Sequence, residues 1–177
     1  MVQFRDVTDI GRYMQYNAVG RTQICAFKYR REYTMEIKVM TIEDYERVYK
    51  LWSHTDGMGM RSLDDSRDGI SKFLHRNPTS NFVAVINNEI VGIILSGHDG
   101  RRGYIYHAVV KVEFRGQGIG KALTEAVFKA LEKEGVTKAG LVVFKTNEIG
   151  NPFWKSQGWE ERTDLNYYSK SININNI

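Results

Sequence analysis

The stretch Val109-Val110-Lys111-Val112-Glu113-Phe114-Arg115-Gly116-Gln117-Gly118-Ile119-Gly120-Lys121-Ala122-Leu123 joins an apolar strand pattern to a helix pattern through an Arg and three alternating glycines. Glycine permits positive φ and close backbone approach. The first amides of a helix lack internal partners and carry the positive end of its dipole. Together these features describe an anion cradle, most naturally for a phosphate or pyrophosphate.

Two familiar cradles fail on spacing. A dinucleotide loop needs G-x-G-x-x-G, but the glycines here fall at 116, 118 and 120. A P-loop needs G-x-x-x-x-G-K-[ST]. Only three residues separate Gly116 from Gly120, and Ala122 follows Lys121. The pattern that fits is R-x-x-G-x-G over Arg115, Gly118 and Gly120. It resembles the coenzyme A loop of the GNAT superfamily of N-acetyltransferases. The alternative is an ordinary glycine-rich turn.

The wider sequence narrows the class. With 177 residues, the chain is long enough for one domain with a full core. Hydrophobic content of 42% and charged content of 26% are ordinary for a globular protein. The net charge of +4 comes from basic residues spread along the chain, so no nucleic-acid face is expected. Cys25 is the one cysteine, which excludes an intrachain disulfide and favours a reducing compartment. No apolar run has membrane-crossing length and no secretory signal is evident, so a cytoplasmic location is expected.

Residues 1–34 show no sustained period and read as a poorly ordered N-terminal extension; an arm packed on the domain or on a second subunit is the alternative. The domain is expected over 35–177. Residues 35–40 alternate as a strand, with Ile37 and Val39 on one side. Thr41-Ile42-Glu43-Asp44 reads as a capped helix start, with Tyr45, Val48, Tyr49, Leu51 and Trp52 on its apolar face. Ser62-Leu63-Asp64-Asp65 offers a second cap, and Asn77-Pro78 ends that helix. Two apolar runs at 82–86 and 90–95, separated by Asn87-Asn88-Glu89, give a hairpin signal. Residues 97–103 form a polar loop. The strand at 104–112 has the composition of a central, buried strand. The helix after the glycines puts Ala122, Leu123, Ala126, Val127, Ala130 and Leu131 on one face and closes at Gly135. A strand at 139–144, a short helix at 151–157 and a closing hairpin of 159–162 with 167–172 follow. The tail 173–177 is expected to fray.

This β-α-α-β-β-β-α-β-α-β-β order is that of the GNAT superfamily, and the resemblance runs from about Met35 to Ile172. The block Asn147-Glu148-Ile149-Gly150-Asn151-Pro152-Phe153-Trp154-Lys155-Ser156-Gln157-Gly158-Trp159 resembles the superfamily's N-x-x-A-x-x-F-Y-x-x-x-G-F. Residues 57–61, 97–103 and 164–168 resemble a bacterial subgroup. The resemblance implies an α/β fold: a mixed, mostly antiparallel central sheet flanked by helices, with splayed central strands. It also implies acetyl-CoA in the splay. Val110, Lys111 and Val112 would pair with the pantetheine arm. The amides of Gly116, Gln117, Gly118, Ile119, Gly120 and Lys121 would hold the pyrophosphate. Arg115 either bonds phosphate or packs its stem on the loop. Asn147 would sit at the cofactor arm or cap a helix. Phe153 and Trp154 would cover the arm or serve the core.

Trp154 stands where many members carry a Tyr proposed to protonate the leaving thiolate. An indole N–H cannot supply a proton at neutral pH. Coenzyme A thiolate is a tolerable leaving group, with a thiol pKa of roughly 8.5 like that of cysteine, so the reaction needs no dedicated acid; otherwise Ser156, Tyr167 or Tyr168 substitutes. Acyl transfer to an amine still requires an oxyanion donor, expected at the Val110 N–H, and a base. His107 has a suitable ordinary pKa, about 6.5, with a structural role as its alternative. Tyr104 and Tyr106 are expected opposite to His107 by strand alternation, one of them lining the acceptor site. Glu113 could act through water. His54, Asp56, Asp64, Asp65, Asp99, Arg101 and Arg102 are further acceptor-side candidates, each with a plain turn or cap role beside it. No metal site is indicated by spacing.

The implied activity is acetyl transfer from acetyl-CoA to a primary amine of a small molecule or protein, by direct attack in a ternary complex. A non-catalytic acyl-CoA-binding module is the alternative. Neither nucleic acid nor membrane is an expected partner, and the chain is expected to act as a monomer or homodimer.

Overall fold

Asn87 and Asn88 both adopt positive φ, 48° and 63°. That is the signature of the two-residue hairpin turn whose twist matches the flanking strands. It joins strand β3 (Phe82–Ile86) to β4 (Glu89–His98) in the computed structural model. The structure describes the backbone of residues 2–16 and 22–177, and the side chains of 34–177.

In chain order, β1 (Val2–Tyr16) and β2 (Thr22–Val39) precede a 3-10 turn at Ile42–Asp44, α1 (Tyr45–Ser53) and α2 (Arg67–Arg76). After the hairpin come β5 (Gly103–Val110), a 3-10 turn at Val112–Phe114, α3 (Ile119–Lys133), β6 (Ala139–Leu141) and α4 (Gly150–Ser156). The strands lie in sequence order in one sheet. All neighbours pair antiparallel except β5 and β6, which are parallel. The fold is therefore α/β with a mixed, mostly antiparallel sheet. The expectation about residues 1–34 falls largely on side chains outside the description. No helix among the described residues is long and apolar enough to cross a membrane.

Helices cover the sheet on both faces. Val48, Leu51 and Trp52 of α1 and Ile70 and Leu74 of α2 pack on Ile93, Leu95 and Val109. Ile119, Leu123, Val127 and Leu131 of α3 pack on Ala84, Val91, Ile94 and Ile105. Each such side chain stabilises by roughly 1.5–3 kcal/mol when fully buried. Strand β4 feeds both clusters and is buried along nearly its whole length. It, rather than β5, is the buried central strand; β5 is covered only in part.

The Thr41 cap forms as expected: the Thr41 N–H donates to Asp44 Oδ2 at 3.1 Å. Asp44 is buried and paired with Lys38 Nζ at 3.0 Å and Arg47 Nη2 at 2.6 Å. Burial pushes its carboxyl up, but the Thr41 N–H and the two cations outweigh this and leave it below the usual range.

Four further expectations need correction. The cap of α2 is Ser66, whose Oγ accepts the Gly69 N–H at 3.1 Å, and not the preceding tetrad. Of that tetrad, Asp65 points inward, and Ser62, Leu63 and Asp64 bind the far end of the chain. The strand at 139–144 shortens to Ala139–Leu141. The closing hairpin of 159–162 with 167–172 does not form. Glu161 pairs with Lys155 at 2.7 Å, and Arg162 forks onto Asp164 at 2.8 and 2.7 Å. Finally, residues 173–177 do not fray. The Ser62 N–H donates to the Ile177 carbonyl at 2.7 Å, Ser62 Oγ donates to the Asn175 carbonyl at 2.8 Å, and Asn176 Oδ1 accepts from the Leu63 and Asp64 amides at 3.0 and 3.2 Å.

Candidate active site

The β5–β6 ladder is three rungs long: Gly103 with Ala139, Tyr104 with Gly140, and Ile105 with Leu141. Beyond it the strands part. Val142 and Phe144 continue the β6 direction at 57% and 62% exposure, without strand pairing. Residues 106–110 of β5 therefore present an unpaired edge to a notch. Successive N–H groups of a strand point to opposite edges. The Lys111 N–H is used by the Val91 carbonyl of β4, at 2.9 Å. The Val110 N–H and C=O accordingly point to the notch, and Arg115 Nε reaches that same Val110 carbonyl at 3.0 Å. Lys111 turns its side chain to Glu89.

The notch ends at the glycine loop. Gly116 and Gly118 have φ of 74° and 82°, a region that costs a side-chain-bearing residue roughly 1–2 kcal/mol. Gly118 is the N-cap of α3 and no side chain caps that end. Gly120 faces Phe153 of α4: a Cβ there would stand 3.0 Å from the ring. Trp154 is buried in the α3-side cluster, with Phe153 and Trp159 at 4.8 and 5.2 Å between ring centroids.

The other wall comes from a β-bulge. Leu95 opposes His107 while the adjacent Ser96 opposes Ile105, so Tyr106 is the extra residue of β5. A bulge interrupts alternation. Tyr106 packs edge-on to Phe73 of α2 at 5.2 Å, and His107 lies 5.0 Å from Trp52 of α1. Both residues, with Tyr104 at 5.0 Å from Tyr106, thus face the α1–α2 side. This overturns the expectation that the tyrosines oppose His107. Burial, with Tyr167 nearby, pushes Tyr104 and Tyr106 above the ordinary tyrosine value, so both are neutral hydrogen-bond donors at neutral pH. His107 Nε2 bonds Asp65 Oδ1 at 2.7 Å. Asp65 Oδ2 accepts the Arg61 N–H at 2.6 Å. Beyond Asp65, a cavity of about 350 Å³ is lined by Tyr45, Tyr49, Arg61, Arg67 and Ile177 among others.

The model of the acetyltransferase (GNAT) family matches residues 40–159. The chain belongs to the GNAT acetyltransferase family. Acetyltransferase ECA0875 of Pectobacterium atrosepticum is 37% identical over 114 residues, covering 64% of this chain and 79% of that protein. An aminoglycoside acetyltransferase, meta-AAC0020, from an uncultured soil metagenomic sample superposes with a TM-score of 0.62 at 25% identity, covering 77% of this chain and 97% of that one. The PaiA N-acetyltransferase of Thermoplasma acidophilum, solved with coenzyme A, shares the fold at a TM-score of 0.63 and 19% identity, over 70% of this chain and 88% of that one. The protein is an acetyl-CoA-dependent acetyltransferase, which sets aside the non-catalytic binding module.

The GNAT site fits its substrate on the chain's own geometry. An open strand edge suits an extended amide-bearing arm. Gly116 and Gly118 bring no side chain to the loop, and Gly118, as the N-cap, makes no side-chain cap bond at the N-terminus of α3. Individual expectations fare differently. Asn147 lies just before α4, where its Oδ1 accepts the Gly150 and Ile149 amides at 2.7 and 3.2 Å. Trp154 is buried in the core cluster. Glu113 sits exposed in the turn after β5. His54 bonds the Lys50 carbonyl at 2.8 Å, and Asp99 closes its own turn onto the Arg101 and Arg102 amides at 2.8 and 2.7 Å. Those turn amides hold the Asp99 carboxyl below its ordinary value. No group of three or more His, Cys, Asp or Glu residues suited to a metal occurs among the described residues. What the sequence did not reveal is Asp65 as the partner of His107, a contact across 42 residues with no local pattern.

Proposed function

We propose that the protein acetylates a primary amine of a small molecule or protein by direct attack of the amine on acetyl-CoA within a ternary complex. The observation that carries this reading is the bulge at Tyr106, which puts His107 beside the open β5 edge on the face away from α3. Acetyl-CoA supplies an activated acyl carbon. Its arm would lie along residues 106–110, with Val112 and Lys111 at the turn. Its pyrophosphate would meet the amides from Gly116 to Lys121, and Phe153 would border it. The Val110 N–H, aimed at the notch, is the candidate oxyanion donor. The amine would enter from the α1–α2 side past Tyr106.

His107 is the proposed base. It takes one proton from the ammonium form of the acceptor. The freed lone pair forms the C–N bond, the C–S bond breaks, and the sulfur leaves with its electron pair. The nitrogen then sheds a second proton. One proton ends on the thiol and one goes to solvent, so the balance closes without a dedicated acid. This accords with Trp154 being a core residue. Tyr106 would donate a hydrogen bond to the acceptor, and Glu113, at the notch end, is a second proton acceptor through water.

A primary-amine acceptor is supported by the aminoglycoside acetyltransferase among the structural relatives. Release of coenzyme A thiol is measured with sisomicin, spermidine and an alanyl peptide as probes. Turnover on at least one, lost by His107→Gln with acetyl-CoA binding intact, is expected. Full activity in His107→Gln would remove His107 as the base.

A further inference from the structure

Asp65 is 5% exposed, so its carboxylate needs partners. One oxygen, Oδ2, closes the turn by accepting the Arg61 N–H at 2.6 Å. The other, Oδ1, crosses from the α1–α2 connection to the sheet and meets His107 Nε2 at 2.7 Å. The turn does not need that second bond, because the Asp65 N–H also donates to the Arg61 carbonyl at 3.0 Å. A carboxylate only accepts. It therefore selects the His107 tautomer with the proton on Nε2 and the lone pair on Nδ1.

Nothing among the described residues bonds Nδ1. It is not enclosed either: the enclosed, unbonded side-chain nitrogens among the described residues are the indoles of Trp52 and Trp159. The ring itself is held against Trp52, 5.0 Å between centroids. The imidazole is thus fixed on one nitrogen, in tilted ring contact with Trp52 and unbonded at the other nitrogen. That is the division of labour seen where an Asp orients a catalytic His.

We infer that Asp65 is a positioning residue for His107, setting the tautomer that leaves Nδ1 free to accept the acceptor's proton and stabilising the imidazolium that results. The inference rests on the reading of His107 as the base. Asp65 touches no reacting atom. Its immediate neighbours are anchored by residues 175–177 through Ser62, Leu63 and Asp64, which stops the carboxylate from drifting.

The decisive variant is Asp65→Asn. Its amide oxygen can still accept the Arg61 N–H, so the turn survives, while its NH₂ can only donate to Nε2. His107 is then driven to the opposite tautomer, with the proton on Nδ1. Long-range ¹H–¹⁵N correlation spectra read this without any acceptor. In the wild type, the His107 Nε2 shift should be pyrrole-like and Nδ1 pyridine-like at a pH where the ring is neutral. In Asp65→Asn the two should exchange. Thiol release with sisomicin, spermidine or the alanyl peptide, whichever turns over, supplies the second readout. Asp65→Asn should lower kcat about 100-fold or more, as loss of a general base does, with KM for acetyl-CoA unchanged. Asp65→Glu should recover part of it. In a His107→Gln background, Asp65→Asn should add less than about threefold.

An unchanged tautomer in Asp65→Asn, or full additivity of the two substitutions, overturns the positioning role while leaving His107 as base. A His107→Gln variant that keeps its activity overturns the base and the positioning role together. Should Asp65→Asn fail to fold, the wild-type spectrum and Asp65→Glu decide: a pyridine-like Nε2 in the wild type, or a kcat in Asp65→Glu equal to that of the wild type with the Nε2 proton moved to Nδ1, overturns the positioning role.

Discussion

Gly120 and Phe153 are in contact across the foot of the glycine loop: a Cβ on Gly120 would stand 3.0 Å from the Phe153 ring. The third glycine of the motif is therefore explained by packing of α4 on α3 as well as by access to an anion. Gly118 is explained by its φ of 82°. Gly120→Val should move Phe153 and destabilise the fold by about 1–3 kcal/mol through overpacking. Gly118→Val should cost about 1–2 kcal/mol of backbone strain. Both should weaken acetyl-CoA binding at least tenfold. Calorimetric titration beside urea melts checks this, and wild-type affinity in both variants would remove the cradle assignment.

Arg115 ties the loop to the strand end through Val110, at 3.0 Å. Arg115→Ala should raise KM for acetyl-CoA about tenfold, in line with a charge-assisted bond of roughly 1.5–3 kcal/mol. Arg115→Lys should recover little, since a lysine lacks the Nε geometry. Equal KM values in all three proteins would show that this tie has no part in binding.

Trp154→Phe should preserve most turnover, because Trp154 is a core residue and carries no transferable proton. Its cost should appear as stability, about 1–2 kcal/mol for the lost ring volume. A loss of kcat beyond tenfold with a normal melt would contradict that.

Asp44 gives a pH signature. Its carboxyl lies below the ordinary value when folded, so the unfolded chain takes up its proton first on acidification. The stabilisation is complete above the ordinary aspartate value of about 4 and is lost as pH falls through the lower folded value. Asp44→Asn should be less stable near pH 7 and lose less on going from pH 5 to pH 3. Parallel acid sensitivity of the two proteins would exclude Asp44 as a contributor.

Asn176 should matter at a distance. Its side chain bonds the Leu63 and Asp64 amides and the Asp64 carboxylate, the last at 2.6 Å. Asn176→Ala removes these and should raise KM for the acceptor about three- to tenfold, the scale of a bond of about 1 kcal/mol. Acetyl-CoA affinity should stay unchanged. A variant affected only in acetyl-CoA binding would place this clamp in the wrong half of the site.

The legible part of the molecule is what short-range chemistry dictates. Asn87-Asn88 announces its turn, Thr41 and Asp44 announce a helix start, and the α3 stripe announces the face that packs on β4. The spacing of Arg115, Gly118 and Gly120 announces the donor side. The acceptor side resisted because its facts are relational. A bulge belongs to a pair of strands, so the direction of Tyr106 cannot be read from β5 alone. Asp65 looks like a cap because it precedes a helix, and only the fold brings it to His107. The closing hairpin of 159–162 with 167–172 does not form, because pairing needs a partner edge that a local pattern does not supply.

The bulge at Tyr106 also bears on how this scaffold can be altered. One added residue lets β5 change which side chains it shows without disturbing its ladder with β4 or the notch edge at Val110. Positions 104 and 106 can therefore vary in size and polarity while the acetyl-donor half stays in register. Deleting Tyr106 would instead remove the bulge and restore strict alternation, so that the side chains before it and those from His107 onward could not both keep their present faces. A library aimed at new amines should randomise side chains here and leave the residue count alone.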